Sequence, residues 1–279
     1  MNKAIQLNAT NLDLEQVQVM GILNVTPDSF SDGGKFANFE HALKQVELMV
    51  RNGVDIIDIG GESTRPGALD VSEKEEIARV IPLLKAIKSR FDIKVSIDTS
   101  KAVVMAEAIN YGADMINDVR ALQNEGCVDV IAQSDIAVCL MHMQGMPRTM
   151  QENPQYKNII DDIVAFFTAR IKCCQKKNIS KDRLILDPGF GFGKTLEHNY
   201  QMLAKFSQFK TLDLPLLAGI SRKSMVGNLL NRDVEQRLAG SLAAAIVAVQ
   251  QGASIIRVHD VAESVDALKV LKAVSQYNS

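Results

Sequence analysis

The 279-residue chain has no tryptophan, four cysteines and no long apolar run. Its cysteines, Cys127, Cys139, Cys173 and Cys174, show no C-x-x-C spacing, which disfavours both a disulfide framework and a thiolate metal site. The longest wholly apolar run, LAAAIVAV from Leu242, is far too short to span a bilayer. The N-terminal stretch MNKAIQLNATNLDL also lacks the apolar region of a signal peptide. We therefore expect a cytoplasmic protein with reduced thiols and no membrane partner.

The chain also lacks an excess of either charge. Lys and Arg total 31 against 33 Asp and Glu, and no basic block stands out. This balance argues against a nucleic-acid partner, which would be held by clustered cations. An anionic ligand would have to be held by a local cluster of side chains.

Short apolar runs alternate with helix-like segments along the whole chain. Near-continuous apolar strands between helices predict a parallel sheet covered by helices. Because no linker-like tract interrupts the pattern, a closed, single-domain (β/α)8 barrel is favoured over an open doubly wound sheet. We predict the barrel over residues 17–276, with residues 1–16 as an N-terminal extension packed on it. The eight runs are VMGILN, DIIDIG, VSIDT, MINDV, AVCLMH, LILDPG, LPLLAGIS and IIRVH.

Short local motifs predict one helix start and two loops near a site. Ser72 followed by Glu75 predicts a capping box at the start of a helix. The connections GGKFA and STRPGALD are long, polar and glycine-bearing, which is typical of loops over a site.

The stretch GFGFGKT, residues 189–195, superficially resembles a phosphate-binding P-loop. A P-loop requires G-x-x-x-x-G-K-[ST], but five residues before Gly193 stands Pro188, and Gly189 is one residue too close. The glycines also miss the dinucleotide pattern G-x-G-x-x-G. The spacing therefore disfavours a nucleotide site and favours a sharp turn after Asp187, with Lys194 as an ordinary loop lysine.

Polar residues end most of the apolar runs. Any one of them could simply cap the helix that follows. In a parallel barrel, however, all these ends meet at one face, where barrel active sites lie. Acidic and amide groups beside Arg65, Arg222 and Lys223 suit a flat, donor-rich heterocycle that carries phosphates. The residues at the run ends are Asn24, Asp98, Asn117, Asp118, His142, Asp187, Ser221, Arg257 and His259.

Seven motifs, in order and over nearly the whole chain, resemble the dihydropteroate synthase family of bacterial folate biosynthesis. They are GILNVTPDSFSDGG, GGESTRPGA, SIDTSK, LMHMQGMPRTMQ, LILDPGFGFGK, GISRKSMVG and IIRVHDV. The resemblance implies a (β/α)8 barrel, normally a homodimer. It further implies an Mg²⁺-dependent enzyme that joins hydroxymethyl-dihydropterin diphosphate to para-aminobenzoate and releases pyrophosphate.

The resemblance also implies roles for individual residues. Asn24 would contribute the Mg²⁺ ligand, and Asp98, Asp187, Lys223 and Arg257 would be the catalytic groups. The pterin would contact Asp98, Asn117, Asp187 and Lys223. The diphosphate would contact Thr64, Arg65, Arg257 and His259, with Arg257 also stacking on the pterin. The second substrate would lie among Phe30, Thr64, Pro66, Phe190, Ser221 and Lys223.

A second hypothesis is a pterin-binding barrel without synthase activity, or one related to methyl transfer. Such a protein needs the pterin carboxylate and amide groups but has no evident use for STRPG together with SRKS. Both segments are present, which favours the synthase. Among the remaining polar residues, we expect His142 to be a structural strand-end histidine, and His41 and His198 to lie on the surface.

Overall fold

A computed structural model describes residues 4–7, 10–25, 35–63, 70–145, 150 and 152–277. Eight parallel strands pair in the cyclic order of the chain, and each lies beside its sequence neighbour. The ring closes where Leu186 bridges to Leu216 and the Leu186 N–H donates to the Pro215 carbonyl at 2.9 Å. The predicted (β/α)8 barrel is therefore confirmed. Its strands are β3 (Gln18–Asn24), β4 (Ile56–Gly60), β5 (Lys94–Asp98), β6 (Met115–Asp118), β7 (Ala137–Met141), β8 (Leu184–Asp187), β9 (Leu217–Ala218) and β10 (Ile255–Val258).

Helices follow the strands and cover the outside of the barrel. Alternate strand residues such as Ile57 and Ile59 face outward and pack with Val80, Leu84 and Ile87 in the larger apolar core. The helices are α1 (Lys35–Arg51), α2 (Glu73–Arg90), α3 (Ala102–Asn110), α4 (Cys127–Ala132), α5 (Ile159–Lys176), α6 (Leu196–Ala204), α7 (Ser224–Leu230), α8 (Leu238–Gln250) and α9 (Val261–Ser275). Within the described residues, no helix is long and apolar enough to cross a membrane.

An antiparallel hairpin seals the amino end of the barrel. It consists of β1 (Ala4–Leu7) and β2 (Thr10–Asp13), with Ile5 opposite Leu12. Both side chains are fully buried in a cluster with inward-facing residues from the first part of the barrel strands. We call this cluster the floor; its barrel members are Met20, Ile56, Met115, Ala137, Cys139, Ile185, Leu217 and Ile255. The domain division at residue 16 stays a prediction.

The predicted capping box at α2 forms only by half. The Ser72 Oγ accepts from the Glu75 N–H at 3.3 Å, but the Glu75 carboxylate pairs with Arg79. A complete capping box occurs instead at α6, where the Thr195 hydroxyl accepts from the His198 N–H and the His198 ring accepts from the Thr195 N–H. The threonine of GFGFGKT therefore starts a helix.

Candidate active site

The carboxyl ends of the strands bring charged side chains from across the barrel to one end, which we call the mouth. Asp58 on β4 lies opposite Ser96 of β5, and Asp98 at the end of β5 lies opposite Asn117 of β6. Asp187 ends β8 and Arg257 lies on β10. These side chains point inward because the residues before and after them pack outward against the helices.

Arg257 joins the acidic groups of β4 and β5. Its Nε donates to Asp58 Oδ2 at 2.6 Å, and its Nη2 donates to Asp98 Oδ2 at 2.9 Å. Burial alone would lower the pKa of Arg257, but the carboxylates of Asp58 and Asp98 outweigh it and raise this pKa. For Asp98, burial raises the pKa to about 7, opposed by Arg257 and reinforced by Asp58, since two carboxylates share one guanidinium.

Several buried polar atoms beside this network have no partner among the described residues. They are Asp58 Oδ1, Ser96 Oγ and Asn117 Oδ1, from three adjacent strands. Asn117 Nδ2 donates to Asp58 Oδ2 at 3.2 Å, which fixes the amide so that its oxygen is left as an acceptor. Buried acceptors without donors are costly, so this arrangement fits a ligand rich in N–H groups.

Asp58 is the functional side chain that the sequence analysis missed. It is fully buried, and its carboxylate binds both Arg257 and Asn117. The signal in the sequence was a carboxylate inside the apolar run DIIDIG. An acidic residue within a buried strand needs a partner, and its position two residues before the strand end indicates an inward-facing one.

Asp187 and Lys223 lie on the other side of the mouth. The Gly189 N–H donates to Asp187 Oδ1 at 2.8 Å. A Cβ atom on Gly219 would lie 3.7 Å from Lys223 Nζ and 3.9 Å from Asp187 Oδ2, so both groups border the same space. Burial raises the pKa of Asp187, with Lys223 opposing. Burial lowers the pKa of Lys223 to about 8, with Asp187 opposing.

The GFGFGKT segment packs tightly against the end of β7. Gly189 and Gly193 have φ angles of +74° and +61°, and Cβ atoms there would lie 2.0 Å from the His142 carbonyl oxygen and 2.4 Å from the Gln144 carbonyl oxygen. Only glycine fits both the conformation and the space. The loop turns a carbonyl toward the site, because Phe190 O accepts from Lys223 Nζ at 2.5 Å. A loop that presents a carbonyl to a lysine does not have the geometry of a P-loop.

Two residues of this segment have buried side chains. The Phe190 ring is fully buried and stacks on Phe206, with 6.0 Å between ring centroids, and its carbonyl accepts from Lys223; its contact with the second substrate stays a prediction. Lys194 is not an ordinary loop lysine, since it is only 3% exposed and its Nζ lies 3.1 Å from His142 Nδ1. The burial of both side chains arises from tertiary contacts with residues distant in sequence. His142 is buried and hydrogen-bonded, as expected of a strand-end histidine.

His259 and Ser221 lie together beside β10. The His259 N–H donates to Ser221 Oγ at 3.1 Å, and His259 Nδ1 lies 3.1 Å from the same oxygen. Ser221 is thus next to a residue predicted for the diphosphate. Arg222 forms a bidentate ion pair with Asp260, with an Nε to Oδ2 distance of 2.9 Å. A cleft too small for more than about one water molecule adjoins this region and is bordered by Ser221, Arg257 and Asp260.

Asn24, the predicted metal ligand, lies beside Asp98. A Cβ on Gly60 would be 3.3 Å from Asn24 Oδ1 and 3.9 Å from Asp98 Cβ. The part of the chain that the structure describes contains no group of three or more His, Cys, Asp or Glu side chains able to hold a metal. One neutral oxygen fits a Mg²⁺ ion whose other ligands are phosphate and water. Phe30, Thr64, Arg65 and Pro66 lie outside the described residues.

Comparison with known proteins gives consistent matches over nearly the whole chain. A family model described as a pterin binding enzyme matches residues 20–259. Dihydropteroate synthase of Haemophilus influenzae is 53% identical over 273 residues, which cover 97% of this chain and 99% of that protein. Dihydropteroate synthase of Escherichia coli K12 is also 53% identical, over 264 residues that cover 95% of this chain and 94% of that protein.

Solved structures agree with the sequence matches. Yersinia pestis dihydropteroate synthase with a sulfonamide drug complex has a TM-score of 0.94 and 52% identity, covering 98% of this chain and 99% of that chain. Xanthomonas albilineans dihydropteroate synthase with 4-aminobenzoic acid has a TM-score of 0.93 and 44% identity, covering 99% of each chain. The chain belongs to the dihydropteroate synthase family of pterin-binding enzymes.

Proposed function

We propose that Asp98, Asn117, Asp187 and Lys223, joined by Asp58, hold the pterin in a dihydropteroate synthase reaction. The observation that carries this assignment is the group of buried acceptors without donors, Asp58 Oδ1 and Asn117 Oδ1, beside the carboxylates of Asp98 and Asp187. A pterin offers an amino group and ring N–H groups along one edge. These donors would satisfy acceptors that have no partner among the described residues.

The diphosphate lies on the side of the mouth nearest β10 in this proposal. Arg257 and His259 contact it, together with Thr64 and Arg65. Arg257 also stacks on the pterin face, which would require it to share its guanidinium between the ring and Asp58. Asn24 would hold Mg²⁺, which supplies positive charge to the departing pyrophosphate when bound. Cationic side chains at this position stabilise the negative charge that develops as pyrophosphate leaves.

The reaction then proceeds by departure of pyrophosphate and attack by an amine. Breaking the bond between the pterin methylene carbon and the diphosphate oxygen leaves a cation delocalised over the ring. Asp98 and Asp187 stabilise this cation because their charges lie close to it in a buried site. The para-aminobenzoate nitrogen attacks the methylene carbon with its lone pair and then loses a proton to solvent water. No covalent enzyme intermediate is needed.

The second substrate binds among Phe30, Thr64, Pro66, Phe190, Ser221 and Lys223 in this proposal. Lys223, whose Nζ borders the same space as the Asp187 carboxylate, would pair with the aminobenzoate or the pterin carbonyl. The Phe190 ring would have to turn away from Phe206 to reach a ligand. We also propose that the protein is a cytoplasmic homodimer, as the family resemblance implies.

The experiment measures pyrophosphate release from the pterin diphosphate with para-aminobenzoate and Mg²⁺. Asp187→Asn keeps the acceptor for the Gly189 N–H but removes the charge, and we expect kcat to fall by about 10² to 10³-fold. The kcat of Lys223→Met should fall by a similar factor. Lys205→Met, an exposed lysine on the outer surface, is the matched control and should keep wild-type activity.

Two outcomes would contradict the proposal. Pterin binding without amine-dependent pyrophosphate release would favour the alternative, a pterin-binding barrel without synthase activity. Full activity of Asp187→Asn would remove the carboxylate from the mechanism. Omission of Mg²⁺ should abolish release, and unchanged release in a chelator would contradict the metal assignment.

A further inference from the structure

A buried lysine beside the mouth has no role in the chemistry proposed above. Lys194 is 3% exposed, and its Nζ lies 2.9 Å from the Phe192 carbonyl oxygen, 3.4 Å from the His142 carbonyl oxygen and 3.1 Å from His142 Nδ1. All three hydrogen-bond partners are uncharged. A lysine buried among neutral partners is rare, because desolvation of an ammonium group is costly.

The three contacts use the hydrogen-bonding capacity of the Lys194 amine group. Two N–H groups donate to the Phe192 and His142 carbonyl oxygens, and the third contact is to His142 Nδ1, whose role as donor or acceptor depends on the ring tautomer. Burial lowers the pKa of Lys194 well below its usual value, and Lys223 lowers it further while Asp187 raises it. Burial, with Lys194 as the second cause, lowers the pKa of His142 to about 2. The three hydrogen bonds thus connect the end of β7 to the loop through one buried side chain.

These contacts lead directly to the catalytic lysine. We call residues 189–193 the GFGFG loop. Lys194 Nζ donates to the Phe192 carbonyl. The centroid of the Phe192 ring lies 4.7 Å from Lys223 Nζ, and the Phe190 carbonyl accepts from that same nitrogen. The Tyr156 hydroxyl also donates to the loop, to the Gly193 carbonyl at 2.8 Å. Lys194 thus hydrogen-bonds to the carbonyl of Phe192, while the Phe190 carbonyl and the Phe192 ring contact Lys223.

We propose that Lys194, with His142 as its partner, is a positioning residue that fixes the GFGFG loop around the Lys223 ammonium. The assignment rests on the proposed function of Lys223 as a substrate contact. Lys194 touches no reacting atom and acts through the Phe190 carbonyl and the Phe192 ring. Without it, the loop would lose the hydrogen bonds that hold it against the end of β7, and Lys223 would gain water and rotamer freedom.

The experiment compares Lys194→Met with the wild type in the full-length protein. We expect kcat for pyrophosphate release to fall by about 10- to 100-fold, because small displacements of a positioned group have effects of this size. The second readout is the pH dependence of Lys223 acylation by a small amine-reactive reagent, followed by peptide mass spectrometry. We expect a midpoint at about 8 in the wild type, because burial lowers the pKa of Lys223 to about 8. It should rise by about one unit in the variant as Lys223 becomes more solvated.

Other charges facing Lys223 are unchanged in this comparison. They are Asp187, Arg257 and Asp98. Lys194→Gln tests the hydrogen bonds separately from the side-chain volume, because a carboxamide offers two N–H donors and one acceptor. It should recover part of the lost kcat and return the Lys223 midpoint toward the wild-type value. Lys205→Met is the matched surface control, and Ile87→Val controls for loss of stability in the core far from the loop.

An unchanged Lys223 midpoint in Lys194→Met, with a kcat loss no larger than that of an equally destabilised Ile87→Val variant, would overturn the proposal. If Lys194→Met does not fold, Lys194→Leu carries the same test, and a wild-type kcat in the tested variant would also overturn the proposal. Absence of pyrophosphate release from the wild type would sink the proposed function instead. The acylation midpoint would still report whether Lys194 positions Lys223.

Discussion

The floor and the mouth of the barrel are built from the same strands, but the floor buries apolar side chains and the mouth buries polar ones. At the floor, Ile5 and Leu12 of the hairpin pack on apolar side chains from the strand beginnings. At the mouth, the same strands carry Asp58, Asp98 and Asn117, and buried acceptors there have no donor in the described chain. The floor therefore contributes stability, whereas the unpaired acceptors of the mouth lower stability until a ligand supplies donors.

The largest expected effect on stability comes from opening the floor. Leu12→Ala deletes a fully buried side chain from the seal, and we expect it to lower the free energy of unfolding by about 3 kcal/mol through lost burial and a residual cavity. Denaturant unfolding measures this change. Activity per folded molecule should stay at the wild-type level because the mouth is untouched.

Leu48→Ala is the matched control for the floor variant. Leu48 lies on α1 and is 60% exposed, so the same deletion should change the free energy of unfolding by less than about 0.5 kcal/mol. Loss of activity in folded Leu12→Ala protein would contradict the separation of the two ends.

At the mouth, Asp98→Asn should raise the free energy of unfolding at neutral pH, whereas Leu12→Ala lowers it. Burial raises the pKa of Asp98 to about 7 from an ordinary value of 3.8. Between these values the folded protein keeps a proton that the unfolded chain has lost, so the wild type loses stability as pH rises through this window. Asparagine still accepts from Arg257 but does not titrate. The variant should therefore gain stability relative to the wild type as pH rises from about 4 to about 7.

Unfolding in denaturant at several pH values measures this difference. Subtracting the free energy of unfolding of the variant from that of the wild type at each pH isolates the contribution of Asp98. The contributions of Asp187 and Asp118, whose pKa values burial also raises, cancel in this difference. Asp92→Asn on the exposed surface is the matched control. A difference between variant and wild type that does not change with pH over this range would show that the pKa of Asp98 is not raised by folding. The gain should come with a loss of pyrophosphate release.

The sequence predicted those features that depend on local pattern. All eight strands lie where apolar runs occur, because a strand covered on both faces needs apolar residues at nearly every position. Strand ends converge by topology, so Asp98, Asn117, Asp187 and Arg257 could be grouped without coordinates. Asp58 was missed because it lies inside a run and not at its end. The burial of Lys194 and of the Phe190 ring depends on His142 and Phe206, which no local pattern connects to the GFGFG loop.

The smallest effect is expected from a mouth residue outside the polar network. Ser72 caps α2 by accepting from the Glu75 N–H, and Ser72→Ala should lower the free energy of unfolding by about 1 kcal/mol. Glu75→Gln should change it by only a few tenths, about 0.3 kcal/mol, because the carboxylate makes an exposed pair with Arg79 and takes no part in the cap. Thermal or denaturant unfolding of both variants measures the two changes, and pyrophosphate release should stay near the wild-type rate in each. Equal losses of stability in the two variants would indicate that the reciprocal half of the capping box forms in solution. A large loss of activity in Ser72→Ala would instead extend the functional part of the mouth to the start of α2. The functional end of the barrel would then include the whole carboxyl face and not only its buried polar network.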